Sequence, residues 1–332
     1  MAAQMNIATG PVAPLFKPAP CTLHPAPCTL HPAPCTLYTM LYLLAVSLIW
    51  SFSFVIIKGN LTALDANLVA FLRLLLAFLV FLPFFRAGKL TRGLFWRLLG
   101  IGAVQFGLMY STYTAAFSYL PAYMLVLLTA TTPLYVVFFD MLLARRNTPL
   151  FWGAALAGVL GAWLLQYQVS PLEFNWKGVF LLQLSNLAFA AGQIYYRKLA
   201  LSSQPWDNRA FFSVVYLGAT LFTLLASLCT GSWSDLPQIT MKQWALLGYL
   251  GIIASGLCFF LWNVGGTKVN AGTYALLNNL KIPLGVLISI WFLGETCDYL
   301  LLLITLVIFM ISAWLCEKSA CESVFLTPKY TK

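Results

Sequence analysis

The sequence predicts an all-α integral membrane protein in which ten transmembrane helices form two inverted five-helix repeats. Three observations lead to this prediction: an apolar composition, ten long apolar runs, and an uneven distribution of basic residues among the connections. Hydrophobic residues make up 61% of the 332 residues and charged residues only 8%, with a mean hydropathy of +0.85. Soluble domains carry roughly 25% charged residues. A water-soluble fold of this length could not bury so much apolar surface.

Apolar runs long enough to cross a bilayer recur from Met40 onward. Crossing ~30 Å of hydrocarbon takes about 17 to 25 mostly apolar residues in a helix. The predicted spans are 40–57, 66–85, 98–118, 122–143, 150–167, 178–196, 209–228, 244–264, 273–293 and 299–316. Because the connections are short, consecutive helices are expected to be antiparallel neighbours.

Lysine and arginine are concentrated in alternate connections, which indicates the orientation of the chain. One set of connections holds ten basic residues: Arg86, Lys89, Arg92, Arg97, Arg145, Arg146, Arg197, Lys198, Arg209 and Lys268. The other set holds three: Lys58, Lys177 and Lys242. The positive-inside rule places the first set in the cytoplasm, and an even number of spans then places both termini there too. The net charge of +10 therefore reflects orientation in the cell (inner or plasma) membrane, and no nucleic-acid partner is predicted.

The fourth and ninth spans resemble each other. Their sequences are "AYMLVLLTATTPLYVVFFDMLLARR" and "GTYALLNNLKIPLGVLISIWFLGET", and superposing them aligns Pro133 with Pro283. Since five spans is an odd number, the second half would enter the membrane from the opposite side. Inverted repeats are typical of secondary transporters, whose substrate site lies near the midplane between the repeats. The predicted repeats are 40–167 and 178–316, followed by a cytoplasmic tail, 317–332.

The first 39 residues contain a seven-residue unit read three times, "PAPCTLH PAPCTLH PAPCTLY", with Cys21, Cys28 and Cys35 in register. One interpretation is a Cys/His metal-binding tract. The other, which we favour, is a tandem DNA repeat translated ahead of a natural start at Met40, because cysteines seven residues apart lack zinc-site spacing. Frequent proline argues against a helix. We therefore expect a low-complexity extension without stable structure, and no metal or cofactor.

Several stretches of the sequence resemble a known transporter family. "LLAVSLIWSFSFVIIKGNL", the two proline-bearing spans and the "FLGE" of residues 292–295 resemble the EamA-type drug/metabolite transporter superfamily. The stretches "IWSFSF", "MYSTYTAAFSYLPAYMLVLLTATTPLYVVFFD", "LLQLSNLAFAAGQIYYRKL" and "IASGLCFFLWNVGGTKVNAGTYALLNNLKIPLG" are similar to the biotin transporters of its carboxylate/amino acid/amine branch. The resemblance covers most of residues 40–316. It implies an EamA-like ten-span fold and uptake of a small carboxylate, such as biotin, by alternating access.

Two cations inside the predicted spans are candidate substrate-binding residues. Lys281 lies about eight residues, or ~12 Å, from the start of the ninth span. It either extends its ammonium to the membrane surface or faces a cavity and attracts an anion. Asn278 is expected to share its helical face, and Asn279 lies beside it. Arg73 in the second span either has a structural role or holds a carboxylate through two parallel hydrogen bonds.

The sixth span carries three hydrogen-bonding side chains, Gln183, Ser185 and Asn186, within one turn. They either join neighbouring helices or bind the polar groups of a ureido- or amide-bearing ligand, which would otherwise be costly to bury. Five aromatic residues either line an apolar cavity or are ordinary packing and interface residues: Trp50, Tyr110, Tyr135, Tyr196 and Trp262.

One carboxylate, Asp140, lies near the cytoplasmic end of the fourth span. It is a candidate proton acceptor for coupling. The alternative, which we favour, is an ion pair with Arg145 or Arg146 at the membrane surface.

The sequence also argues against two other classes of membrane protein. There is no histidine after residue 39 and no Walker-type phosphate loop, which argues against an integral-membrane enzyme and against a primary pump. Among transporters, the alternative is an exporter or exchanger of amino acids or other metabolites, including an adenosyl metabolite. The excess of intramembrane cations favours an anionic substrate. The lipid bilayer is the other expected partner. The sequence leaves open whether the protein forms a homodimer.

Overall fold

The computed structural model describes residues 34–120, 122–144, 148–166, 175–202, 206–230, 232–293 and 299–326. In these ranges the regular structure is helical and contains no strand, so the all-α prediction is confirmed. The α-helices of the described residues are α1 (Pro34–Asn60), α2 (Ala66–Phe81), α3 (Arg92–Gly102), α4 (Met109–Ala116), α5 (Ala122–Thr129), α6 (Thr132–Ala144), α7 (Pro149–Gln166), α8 (Trp176–Ser202), α9 (Asn208–Thr230), α10 (Met241–Gly248), α11 (Cys258–Gly266), α12 (Ala271–Asn279), α13 (Lys281–Leu293) and α14 (Tyr299–Leu326).

Polar side chains cap the N-termini of several helices. Asp65 accepts from the backbone N–H groups of Asn67 and Leu68 at the start of α2. Thr240 and Gln243 form a reciprocal capping box at the start of α10. Such caps satisfy N–H groups that have no partner within the helix. The local sequence therefore explains where these helices begin.

The two ends of the helical region extend further than the sequence predicts. α1 begins at Pro34, so residues 34–39 of the expected unstructured extension are helical. Proline is compatible with the first position of a helix, because its missing N–H would have no intrahelical partner there. Cys21, Cys28 and the rest of residues 1–33 lie outside the described residues. At the other end, α14 continues to Leu326 through part of the predicted tail.

The fourth and ninth predicted spans are not continuous helices. Residues 130–131 separate α5 from α6, and Leu280 separates α12 from α13. Pro133 and Pro283 follow these breaks within three residues. Proline lacks the N–H of the helical hydrogen bond, and its ring crowds the preceding turn. The aligned prolines therefore account for breaks at matching places in the two halves of the chain.

The third and eighth predicted spans share a different irregularity. Ala103–Leu108 forms a π-helical segment between α3 and α4, and Tyr249–Leu257 forms one between α10 and α11. A π-helical turn shifts the backbone hydrogen bonds by one residue, and such segments are frequent at functional sites. Phe106, in the first segment, packs against Phe259, and Ser255, in the second, accepts a hydrogen bond from Arg73. Phe259 and Arg73 line the central cavity.

Close helix packing builds the scaffold around that cavity. α9 packs against both α2 and α3. A Cβ atom at Gly102 would collide with the carbonyl oxygen of Val215, and one at Gly218 with that of Leu99. Glycine is needed at both positions because the backbones of α3 and α9 touch there, as is common between membrane helices.

Five helical stretches within the described ranges are long and apolar enough to cross a membrane: Ala66–Phe84, Leu127–Ala144, Asn208–Cys229, Met241–Gly266 and Tyr299–Cys316. Two further apolar helices are shorter: Thr39–Ser53 and Pro149–Leu164. Large apolar side chains such as Leu160 and Met310 are exposed on the outside, as expected of surfaces that face lipid. The chain is thus a multi-pass membrane protein. The expectation of ten spans comes from the sequence pattern.

Candidate functional site

A central cavity lies among helices from both halves of the chain. It has about 660 Å³ of space free of protein atoms, counting the part open to solvent. Its lining residues are Trp50, Ser53, Ile57, Arg73, Met109, Tyr110, Tyr113, Thr129, Thr132, Ser185, Asn186, Phe189, Phe259 and Lys281. Four predicted substrate-binding residues are therefore brought together: Arg73, Lys281, Asn186 and Trp50.

Arg73, on α2, is almost fully buried and is held along one edge of its guanidinium. Its Nη2 donates to Tyr110 Oη at 2.7 Å and to Ser255 Oγ at 3.1 Å. Its Nε and Nη1 have no hydrogen-bond partner within the described part of the chain, and no described carboxylate pairs with it. Because an arginine has five N–H donors, this arrangement leaves donors for a ligand.

Lys281 is the first residue of α13, directly after the helix break. It is 9% exposed and lines the cavity, so it lies at the cavity wall rather than on an exposed surface. Its Nζ lies 5.7 Å from the ring centroid of Trp50. Among the residues that the structure describes, this ammonium has no hydrogen bond and no ion pair. Its own backbone carbonyl accepts from Ser51 Oγ at 2.9 Å, which fixes α13 to α1.

Trp50 contributes an anchored aromatic surface to the cavity wall. Its Nε1 donates to the carbonyl oxygen of Ala254, in the second π-helical segment, at 2.9 Å. Its ring centroid lies 4.9 Å from that of Phe259 and 5.1 Å from that of Trp262. Trp262 is fully buried behind Trp50 and donates to Gln193 Oε1 at 2.8 Å. Trp262, a predicted binding residue, does not line the cavity and packs against Trp50 instead.

Asn186, on α8, bridges to the break between α5 and α6. Its Nδ2 lies 2.9 Å from the carbonyl oxygen of Leu128 and 3.3 Å from Thr131 Oγ1. Gln183 Oε1 accepts from Thr131 Oγ1 at 2.9 Å and from Tyr135 Oη at 3.0 Å. Gln183 and Tyr135 do not line the cavity. They form a helix-to-helix network behind Asn186, which matches the structural alternative for Gln183.

The two predicted asparagines of α12 are buried but do not line the cavity. The break at Leu280 interrupts the helical spacing on which the expected shared face of Asn278 and Lys281 rested. Asn279 Nδ2 instead donates to the carbonyl oxygen of Ala130 at 2.7 Å. Both amide atoms of Asn278 lack a hydrogen-bond partner within the described ranges.

Asp140, the coupling candidate, lies away from the cavity wall. Its Oδ1 is 3.3 Å from Arg197 Nη1. Arg197 also donates through Nε to the carbonyl oxygen of Gly266 at 2.8 Å and through Nη2 to that of Val269 at 3.1 Å. The expected partners, residues 145 and 146, lie outside the described residues. Asp140 is therefore in an ion pair with Arg197, on α8, whereas the predicted pairing with residue 145 or 146 stays untested.

Several lining residues were not singled out from the sequence. Thr129 and Thr132 flank the break before Pro133, and hydroxyl residues beside such a break were a usable signal. Phe189 and Phe259 had no signal of their own, because aromatic residues are common throughout the spans. Tyr113 was likewise indistinguishable from an interface residue.

Comparisons with known proteins agree with the resemblance. The EamA-like transporter family matches twice, at residues 37–167 and 176–316. The biotin transporter of Escherichia coli strain K12 is 37% identical over 259 residues, 76% of this chain and 84% of that protein. The probable biotin transporter of Pseudomonas aeruginosa strain PAO1 is 39% identical over 267 residues, 78% of this chain and 91% of that protein. The predicted family is thereby confirmed, and so is the predicted similarity to biotin transporters.

A solved crystal structure of another protein shares the fold. It superposes with a TM-score of 0.66 at 17% sequence identity and covers 83% of this chain and 96% of its own chain. The relatives named above are transporters, which confirms the prediction that the chain is not an enzyme. With the family matching in both halves, the chain belongs to the EamA-like transporter family.

Proposed function

We propose that the protein is a secondary transporter that takes up a small carboxylate-bearing metabolite, with biotin as the first candidate. The observation that carries this proposal is the pair of cations in the cavity wall. Arg73 and Lys281 both line the cavity, and no described carboxylate pairs with either. The relatives named biotin transporters support biotin in particular.

The electrostatics of the cavity favour an anionic ligand. A single cation at the centre of a membrane span costs about 2.5–3.5 kcal/mol on insertion scales, and two cations in one cavity also repel each other. A bound carboxylate would offset both costs. The guanidinium of Arg73 suits the two oxygens of a carboxylate, while the compact ammonium of Lys281 adds a second positive charge.

The proposed mechanism is alternating access between two inverted repeats, 40–167 and 178–316. In its support, the π-helical segments fall in the third and eighth predicted spans, and the helix breaks in the fourth and ninth. Each repeat contributes one cation to the cavity, Arg73 from the first and Lys281 from the second. Sites of this kind, built at discontinuous helices between repeats, are typical of secondary transporters. The proposal includes ten spans in the inner or plasma membrane with both termini in the cytoplasm.

The alternative substrates differ from biotin in charge. An amino acid or an adenosyl metabolite carries an ammonium or sulfonium group, which would need a negatively charged partner in the cavity. No aspartate or glutamate is present among the described residues that line the cavity.

Uptake of labelled biotin tests the proposal. Cells without their own biotin uptake should accumulate labelled biotin when they express the full chain. Unlabelled biotin should compete, and amino acids and adenosyl metabolites should not. Uptake no higher than in empty-vector cells, at verified membrane abundance, would overturn the assignment of biotin. Stronger competition by an amino acid would favour the alternative instead.

A further inference from the structure

The polar groups of the cavity wall divide into hydrogen-bond donors and acceptors. The donors include the two cations, Arg73 and Lys281. A second group consists of hydroxyl and amide side chains beside the break between α5 and α6. What these side chains can offer a ligand follows from the hydrogen bonds that they already make.

Three hydroxyl groups in this second group have used their only hydrogen. Thr129 Oγ1 donates to the carbonyl oxygen of Leu125 at 2.6 Å, and Thr132 Oγ1 to that of Thr129 at 2.6 Å. Ser185 Oγ donates to the carbonyl oxygen of Met109 at 3.1 Å. Since a hydroxyl has one hydrogen and two acceptor lone pairs, all three can only accept hydrogen bonds from a ligand.

The amide of Asn186 has a fixed orientation, which also leaves a hydrogen-bond acceptor for a ligand. The atom 2.9 Å from the carbonyl oxygen of Leu128 must be the NH₂ group, because a carbonyl oxygen can only accept. The amide oxygen, Oδ1, receives no hydrogen bond from any described residue. Asn186 is only 4% exposed, yet it lines the cavity. Its Oδ1 is therefore an acceptor that a bound ligand can satisfy.

We propose that Asn186 is a specificity-determining residue that accepts a hydrogen bond from an N–H group of the substrate, assisted by the hydroxyl oxygens of Thr129 and Thr132. The inference rests on the proposed function and narrows it. The substrate is then a carboxylic acid that also carries a ureido or amide N–H, as the cyclic urea of biotin does. A ligand without N–H would leave buried acceptors unpaired, which is the kind of defect that gives a site strong discrimination.

Direct binding to the purified full-length protein tests this proposal on the ligand side. Desthiobiotin has the ureido N–H groups and the carboxylate, whereas its N,N′-dimethyl derivative and lipoate have the carboxylate but no N–H group. We expect wild-type protein to bind desthiobiotin at least about tenfold more tightly than either, as one buried hydrogen bond permits. Equal affinity for the three acids would overturn the proposal.

Variants test the role of the residue. Asn186→Leu should weaken binding of desthiobiotin about tenfold and change lipoate binding less than about twofold. Thr223→Val is the matched control, because it removes a buried hydroxyl that donates to carbonyl oxygens of its own helix, α9, and does not line the cavity. It should leave the ratio of the two affinities unchanged. Equal losses for both acids in Asn186→Leu, or an equal change of the affinity ratio in Thr223→Val, would contradict the proposal.

The outcomes separate this inference from the proposed function. If wild-type protein transports biotin but Asn186→Leu keeps the wild-type ratio, the inference alone fails. If wild-type protein neither transports nor binds biotin, the proposed function fails. If Asn186→Leu does not fold, the comparison of desthiobiotin with its dimethyl derivative on wild-type protein decides the matter.

Discussion

Arg73 and Lys281 differ in how firmly their surroundings hold them. Tyr110 and Ser255 bind one edge of the Arg73 guanidinium, so its orientation is set before a ligand arrives. The ammonium of Lys281 has an aromatic ring as its nearest described interaction and can adapt its position. A fixed fork and an adaptable point charge are complementary ways to hold a carboxylate.

Asp140 gives the first prediction at the residue scale. Its ion pair with Arg197 is largely buried. Asp140→Asn should therefore lower the stability of the protein by roughly 1–3 kcal/mol. The loss stays below that of an isolated buried charge, because Arg197 also donates to two backbone carbonyls. We expect uptake to keep its pH dependence. Thermal unfolding and uptake across pH measure the two effects. Unchanged stability together with a lost pH dependence would assign Asp140 to proton coupling instead.

The sequence was a good guide to charged site residues and a poor one to their neighbours. Arg73 and Lys281 could be found because a cation within an apolar run is rare and needs a physical reason. Thr129 and Phe259 could not be found as readily, since threonine and phenylalanine fit any membrane helix. Asn278 was misplaced because the spacing rule assumed a continuous helix.

At the scale of elements, the helix breaks are stabilised by side chains from other helices. Asn279, at the end of α12, donates to the free carbonyl of Ala130 in the other break. Asn186 donates to the carbonyl of Leu128, which also accepts from the backbone N–H and the hydroxyl of Thr131. Two serines of α1 bond to carbonyls of Leu277 and Lys281 around the second break. Backbone groups freed inside a membrane need such partners, so the two breaks depend on each other.

Neighbouring asparagines of α12 give a matched pair of variants. Asn279→Leu should lower stability by about 1–3 kcal/mol, because it leaves the Ala130 carbonyl unpaired in the interior. Asn278→Leu should be neutral or stabilising, because it replaces two amide atoms that lack partners within the described ranges. Both side chains are fully buried, so the comparison isolates the hydrogen bond. Thermal unfolding of purified protein measures the difference, and equal destabilisation by both variants would count against this account.

The elements themselves were predictable only in part. Long apolar runs predicted the helices, and the aligned prolines marked the positions of the breaks. The π-helical segments had no counterpart in the sequence pattern, because shifting a few hydrogen bonds by one residue hardly disturbs helical periodicity. The helical residues 34–39 were missed because the proline repeat was taken to exclude a helix throughout.

At the scale of the whole molecule, the cavity joins the two halves of the chain. Lys281 of α13 is linked to α1 through its carbonyl, and Trp50 of α1 is linked to the second π-helical segment. Relative motion of the halves would therefore change the cavity wall itself. This is the property that alternating access between repeats requires.

Orientation in the membrane provides a prediction at the same scale. The excess of lysine and arginine in one set of connections predicts that the connection around Lys89 is cytoplasmic. The connection that contains residue 177 should lie on the opposite side. Reporter fusions placed after each of these two residues measure sidedness. The same sidedness for both would contradict the proposed inverted repeats.

The central claim is that the cavity cations bind the carboxylate of the substrate. The most direct test removes the ammonium of Lys281 in one experiment and the negative charge of the substrate in another. Lys281→Met should raise the KM for biotin about tenfold or more, because the carboxylate loses a charge partner, and should change the KM for biotinamide less than about twofold. Lys268→Met is the matched control, because Lys268 is a cation outside the cavity that bonds to Tyr42, and it should affect neither. Equal weakening of acid and amide by Lys281→Met, or no weakening of either, would contradict the account.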